Sequence, residues 1–322
     1  MARVLRLALI GIGAGAASAL LFASVLSGSL LSVFLFYLAP LPIMIAALGW
    51  SHWTALVAAL AAALGLTVAF GPFFFPAFLV GIGFPAWWLG YLALLARAEG
   101  TALEWYPPGR LVLWAALLGA IVVMATIPLL GSDAATLKAT LRASFERMFR
   151  VQLHIPSDQP ITSVVEDSGL LDLLVVALPP AAAVLTAVTQ ILNLWLAARV
   201  VNLSGRLRRP WPDLAAIHLP PAAPFMLALA IAGALILPDL AGVCAGLFAA
   251  TLLVAYALLG FAVLHGITRN IGARPIVLVA VYTAVLVFGW PILIMALLGL
   301  IDTALDLRRR VAATRGPPAP LS

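Results

Sequence analysis

Long apolar runs succeed one another along this chain, and the short breaks between them hold nearly all of its charge. The runs cover residues 7–27, 30–49, 53–70, 73–96, 110–131, 169–198, 222–238, 240–264, 275–289 and 291–307. A helix of roughly 20 apolar residues crosses the hydrocarbon of a bilayer. Inside hydrocarbon each segment must satisfy its own backbone N–H and C=O groups, so the runs read as helices. The breaks have causes in their residues: Ser27-Gly28-Ser29, Gly71-Pro72, Pro238-Asp239 and Gly289-Trp290-Pro291 all favour turns. The pattern predicts an all-α, polytopic transmembrane helical bundle of about 8–10 spans, some short or broken. Two stretches stay open: 222–264 is two full spans or a re-entrant pair, and 275–307 is one kinked span or two short ones.

The longest polar excursion lies at 132–168. Ser132-Asp133 offers an N-cap. Beyond it, Leu137, Leu141, Phe145 and Met148 fall on one helical face, and Lys138, Arg142, Glu146 and Arg150 fall largely on another. An amphipathic helix follows, lying on the membrane surface or over the bundle; the sharper alternative is a lid over an external cavity. Val151 to Asp167 reads as an ordered loop. Residues 1–310 thus form a single transmembrane domain, and the Pro-rich tail 311–322 is predicted to be disordered.

Composition agrees with the pattern. Hydrophobic residues make up 64% of the chain and charged ones 9%, with mean hydropathy +1.15; a soluble domain is about a quarter charged. The basic pI of 10.2 does not argue for nucleic acid, because the basic residues flank spans, where topology explains them. The apolar stretch within Met1–Gly28 is of spanning length, longer than a signal-peptide core, so it reads as a retained first helix. With the N-terminus cytoplasmic and ten spans, Arg3, Arg6, Arg97, Arg110, Arg199, Arg206, Arg208, Arg209, Arg269, Arg274, Arg308, Arg309, Arg310 and Arg315 share the cytoplasmic side. That is fourteen of the 18 basic residues. A single span over 275–307 would move the last four outside. Charge therefore favours a final segment that turns back, with both termini cytoplasmic in a bacterial inner membrane.

Candidate chemistry is sparse. Gly11, Gly15 and Ala19, four apart, make a stripe on which another helix can dock closely, within the bundle or on a second membrane subunit. Thr186, Gln190 and Asn193 share a face of the sixth span, followed by Trp195; buried amides need hydrogen bonds, so this is an interhelical contact or a ligand-binding wall. Asp302, Asp306, Arg308 and Arg309 end the last helix, with Asp302–Arg309 or Asp306–Arg310 pairs as anchors, or form a contact for a cytoplasmic partner. The basic loop 199–220 is an orientation signal, or a contact for anionic lipid or a partner. His265 offers a proton-relay group, or is structural. The aromatic residues Phe70 to Trp88 form an interfacial belt or a stacking pocket. Cys244 is alone, and no spacing of His, Cys or Glu suits a metal. No cofactor is expected, and no catalytic cluster stands out among the membrane residues.

Two stretches, Gly299-x-x-Asp302-x-x-x-Asp306-x-Arg308 and Asn193-Leu-Trp-Leu-Ala-Ala-Arg199 with Ser204-Gly-Arg206-Leu-x-Arg209-Pro210, resemble the YybS-like family of bacterial predicted membrane proteins. That family is distantly similar to the substrate-binding (S) components of energy-coupling factor transporters. The resemblance implies a non-enzymatic protein that binds a vitamin-like small solute from the outer side and works with membrane scaffold and ATPase subunits. It also implies docking through small residues of the first helix. Such components typically have six spans, fewer than the pattern here. A structural or scaffolding protein of the cell envelope is the alternative.

Overall fold

The computed structural model describes residues 2–99, 102–154, 169–269 and 271–314. Nearly every apolar run becomes a helix: α1 (Ala2–Ala23), α2 (Leu30–Tyr37), α3 (Pro40–Gly49), α4 (His52–Phe70), α5 (Phe74–Phe78) and α6 (Phe84–Ala93). There follow α7 (Pro108–Leu130), α8 (Ala134–Leu153), α9 (Leu170–Leu203), α10 (Ala223–Ile236) and α11 (Asp239–Ile267). The chain then forms α12 (Arg274–Phe288), α13 (Pro291–Leu305) and α14 (Leu307–Thr314). Pro40 divides α2 from α3, since its nitrogen carries no proton to bond the preceding turn. A π-helical turn at Leu79–Gly83 joins α5 to α6. Among the described residues, seven segments are long and apolar enough to cross a membrane, and α10, α12 and α13 are shorter apolar helices.

The break between the fourth and fifth runs holds an element that the apolar pattern does not predict. Strands β1 (Ala96–Glu99) and β2 (Ala102–Trp105) pair antiparallel, with Arg97 opposite Glu104. Their side chains meet at 2.6 Å, exposed on the surface.

The chain divides into two compact units. The first draws on residues up to Ala115, on Val188–Pro224 and on residues from Leu252 onward. Here α1 lies against α4 through its small residues. A Cβ at Gly11 would stand 2.8 Å from the Thr54 carbonyl, and one at Gly15 would stand 2.5 Å from that of Ala58. Ala55, Ala58, Ala59, Ala62 and Ala63 of α4 are buried. The second unit comprises Ala116–Ala187 and Phe225–Thr251. There α8 turns Leu137 and Leu141 into a core with Ala120, Ile127, Val175 and Leu247, while Met148 stays exposed. Asp133 caps α8: its carboxylate accepts the Thr136 N–H, and the Thr136 hydroxyl accepts the Asp133 N–H. The Thr136 N–H bond is the main cause that holds the Asp133 carboxyl below its usual pKa. Arg142 bonds Glu146 and Asp172 across this unit. Most of the expected loop 151–167, and the tail 315–322, lie outside the described residues.

The last apolar segment is broken. Gly289 ends α12 at φ +72°, a conformation that other residues resist. Arg269, just before α12, bonds Asp213, and Arg308, just after α13, bonds the carbonyls of Ala215 and Ile217. A straight helix over 274–305 would hold its ends roughly 45 Å apart. The chain instead leaves this end of the first unit and returns to it, as two 15-residue helices of about 22 Å each.

Sequence spacing puts Asp302 opposite Arg309 and Asp306 opposite Arg310 on one continuous helix. The structure corrects this. Asp306 adopts the left-handed conformation, φ +54° and ψ +49°, so α13 stops and α14 starts in a new direction. The fold-back brings Arg308 rather than Arg309 onto Asp302, whose carboxylate accepts Arg308 N–H bonds at 2.8 and 3.0 Å.

Candidate functional site

Residues 204–218 form a strap over one end of the first unit, and basic side chains tie it down. Arg206 stacks over the Trp50 ring at 4.7 Å, and Arg208 donates to the Trp50 carbonyl. Arg209 reaches the carbonyls of Ala93 and Tyr106 at 3.4 and 3.3 Å. Arg199 lies over Trp211. Asp213 takes both of its bonds to Arg269 from one nitrogen, at 2.7 and 2.9 Å. That contact, reinforced by the Ala215 N–H, holds the Asp213 carboxyl below its usual pKa. Arg308 fastens the far side of the strap. The residues brought together, from the connections at 50, 93–106, 204–218, 269 and 308, are those that the charge pattern assigns to one face of the membrane.

Beneath the strap lies a cavity of about 940 Å³, at the upper end of the roughly 300–1,000 Å³ typical of small-molecule sites. Its walls are apolar: Leu111 and Val112 of α7, Leu192 and Trp195 of α9, Leu258 and Phe261 of α11. Its polar lining comes from Arg209, Asp213, His265, Arg269, Arg274 and Tyr282. Tyr282 of α12 stacks on Phe261 at 5.1 Å, and its hydroxyl lies 3.0 Å from Nε2 of His265. Burial lowers the pKa of Arg209, and its Nε has no hydrogen-bond partner among the described residues.

The residues expected to carry function divide. Helical periodicity gives α9 two faces. Ala183, Ala187, Gln190, Asn193, Ala197 and Val201 are its buried stripe, whereas Val188, Leu192, Trp195 and Ala198 line the cavity. Trp195 is therefore at the cavity, and Gln190 and Asn193 are on the buried face. Asn193 donates to the carbonyls of Tyr37 and Thr189, both at 2.8 Å. The side-chain oxygens of Gln190 and Asn193 have no donor. Thr186 belongs to the second unit and bonds the Ala182 carbonyl within its own helix. Gly11 and Gly15 face α4 of the same chain, and Ala19, one turn further along α1, is half-buried. Asp302 and Arg308 form the buried clasp, whereas Asp306 and Arg309 are exposed. Among the described residues, no three His, Cys, Asp or Glu side chains come together.

Sequence reasoning did not find the polar end of the cavity. Arg209, Asp213, Arg269, Arg274 and Tyr282 come from three separate stretches, and only folding unites them. The run Arg206-Leu-Arg-Arg-Pro-Trp-Pro is the one local signal: two prolines and a tryptophan stiffen a loop whose charges then find fixed partners.

Residues 16–303 match the model of a family described as predicted membrane protein (DUF2232). The match covers most of the chain, which therefore belongs to that family. No curated protein sequence and no solved structure matches it.

Proposed function

For this member of a family of predicted membrane proteins, we propose a non-enzymatic role: it binds a small solute inside the bacterial inner membrane and works with partner subunits. The observation that carries the reading is the cavity of the first unit, lined mostly by apolar side chains, Trp195 among them, with a few polar side chains between. Apolar walls with a small set of oriented polar groups are the usual make-up of small-molecule sites. The strap and both termini are on the cytoplasmic side in this reading, supported by the concentration of arginine in the breaks that the strap gathers. The sequence holds no GxxxxGK[ST] loop to cradle ATP phosphates, so an ATPase and a membrane scaffold would supply the energy, as for the S components that the chain distantly resembles. Docking on such a scaffold would not use Gly11 and Gly15, which α4 covers.

A ligand screen on the full-length protein in detergent tests this. Vitamins, nucleobases and amphiphiles are added in turn and thermal unfolding is followed. A true ligand at a hundred times its Kd stabilises by about 2.7 kcal/mol, and Trp195→Ala should reduce that shift. A flat response across the whole panel sinks the binding role. One observation favours a second reading, an envelope scaffold: Asp306, Arg309 and Arg310 stay exposed beside the clasp, free to meet a soluble partner. Recovery of envelope proteins in place of an ATPase on co-purification would support it.

A further inference from the structure

We propose that the solute is a lipid phosphate, its chains along α9 and α11 and its phosphate against Arg274 and Arg209. This rests on reading the cavity as a ligand site, and it names the ligand's chemistry.

Charge makes the first argument. Among the described residues, Asp213 is the one acid in the lining, and Arg269 already engages it through two bonds. Arg274 and Arg209 remain as cations with no other acid among the described residues of the lining. Arg209 meets two backbone carbonyls only at 3.3 and 3.4 Å, with Nε buried and unpaired. Both arginines are half-buried, and an anion placed here supplies the counter-ion that the lining does not. The donors then choose among anions. Guanidinium groups match phosphate oxygens in a forked geometry, and both arginines line the same cavity. Two guanidiniums offer more donors than the two oxygens of a carboxylate need and suit a phosphate.

The walls make the second argument. A free inorganic anion gains nothing from Leu192, Trp195 and Phe261, whereas acyl chains bury apolar surface against them. The surroundings of α12 point to a source in the bilayer. This helix contributes Arg274 and Tyr282 to the cavity, yet none of its residues is buried, and Ile276, Val279 and Leu286 are largely exposed. In a membrane protein, an apolar helix face this exposed is one that lipid can reach.

Native mass spectrometry of the full-length protein in micelles tests this with phosphatidate and the diacylglycerol of the same chains. Phosphatidate should bind at least about tenfold tighter, the worth of one charge-assisted hydrogen bond. Arg274→Gln should erase most of that preference, and Arg274→Lys should keep part of it. Arg147→Gln, on the exposed face of α8 in the other unit, should leave it unchanged. Leu192→Trp, which narrows the apolar end and alters no charge, should weaken both lipids. Equal binding of the two lipids would overturn the proposal, as would full displacement of phosphatidate by equimolar inorganic phosphate, or a preference untouched by Arg274→Gln. If a soluble or uncharged compound fills the cavity and phosphatidate does not, the ligand class fails while the binding role stands. If nothing binds, both fall.

Discussion

Arg308 joins three stretches of chain with one guanidinium. It bonds the Asp302 carboxylate twice and the carbonyls of Ala215 and Ile217 at 2.8 and 2.9 Å. Asp302 is 2% exposed and Arg308 12%. Removing one partner of such a pair leaves a buried charge uncompensated, a loss of about 3–5 kcal/mol. Arg308→Ala should therefore lower unfolding stability by that order, measured by denaturation in detergent. The double change Asp302→Ala with Arg308→Met should lose less, because no lone charge remains. A single change indistinguishable from the parent would refute the clasp. The sequence revealed that an acid and an arginine cluster here. It did not reveal which arginine pairs, because one left-handed residue, Asp306, changes the register of everything after it.

At the scale of helices, small residues decide which surfaces touch. A Cβ on Gly260 of α11 would collide with the Met295 carbonyl of α13, and one on Gly299 would collide with the Tyr256 carbonyl. A Cβ on Gly13 of α1 meets nothing within 4 Å. Gly260→Ala should thus force the helices apart at a cost of roughly 1–3 kcal/mol. Gly13→Ala should be tolerated and stabilise α1 by up to about 1 kcal/mol. Thermal unfolding of the two variants side by side checks both signs. The helices themselves were legible because hydrocarbon leaves a long apolar run little else to become. The packing stripe on α1 was legible from its four-residue spacing, although its partner, α4, was not. The hairpin of β1 and β2 was hidden because eight residues of mixed polarity carry no period strong enough to declare strands. The partners of the strap were hidden for another reason: Arg208 finds Trp50 across 158 residues, and Arg209 finds Tyr106 across 103. No local pattern records contacts at that range.

For the whole molecule, the decisive geometry is the return of 274–305 to the strap from which it departs. Charge counting favoured that return, and the paired contacts of Arg269 and Arg308 with neighbouring strap residues supply it. In a Cys244→Ser background, cysteines placed at Gly272 and Arg309 should react with an impermeant thiol reagent from the same face of the membrane. Reaction from opposite faces would mean that the segment crosses and does not return. The clasp also has a consequence in time. Arg308 fastens carbonyls that precede it by 93 and 91 residues, so the ribosome finishes the strap long before it makes the fastener. Until α11, α12 and α13 have been synthesised and inserted, the chamber lacks both its far wall and its latch. A chain interrupted during that interval has a strap with nothing to hold its far side, so tight packing of residues 215–217 marks a chain that has been made past residue 308.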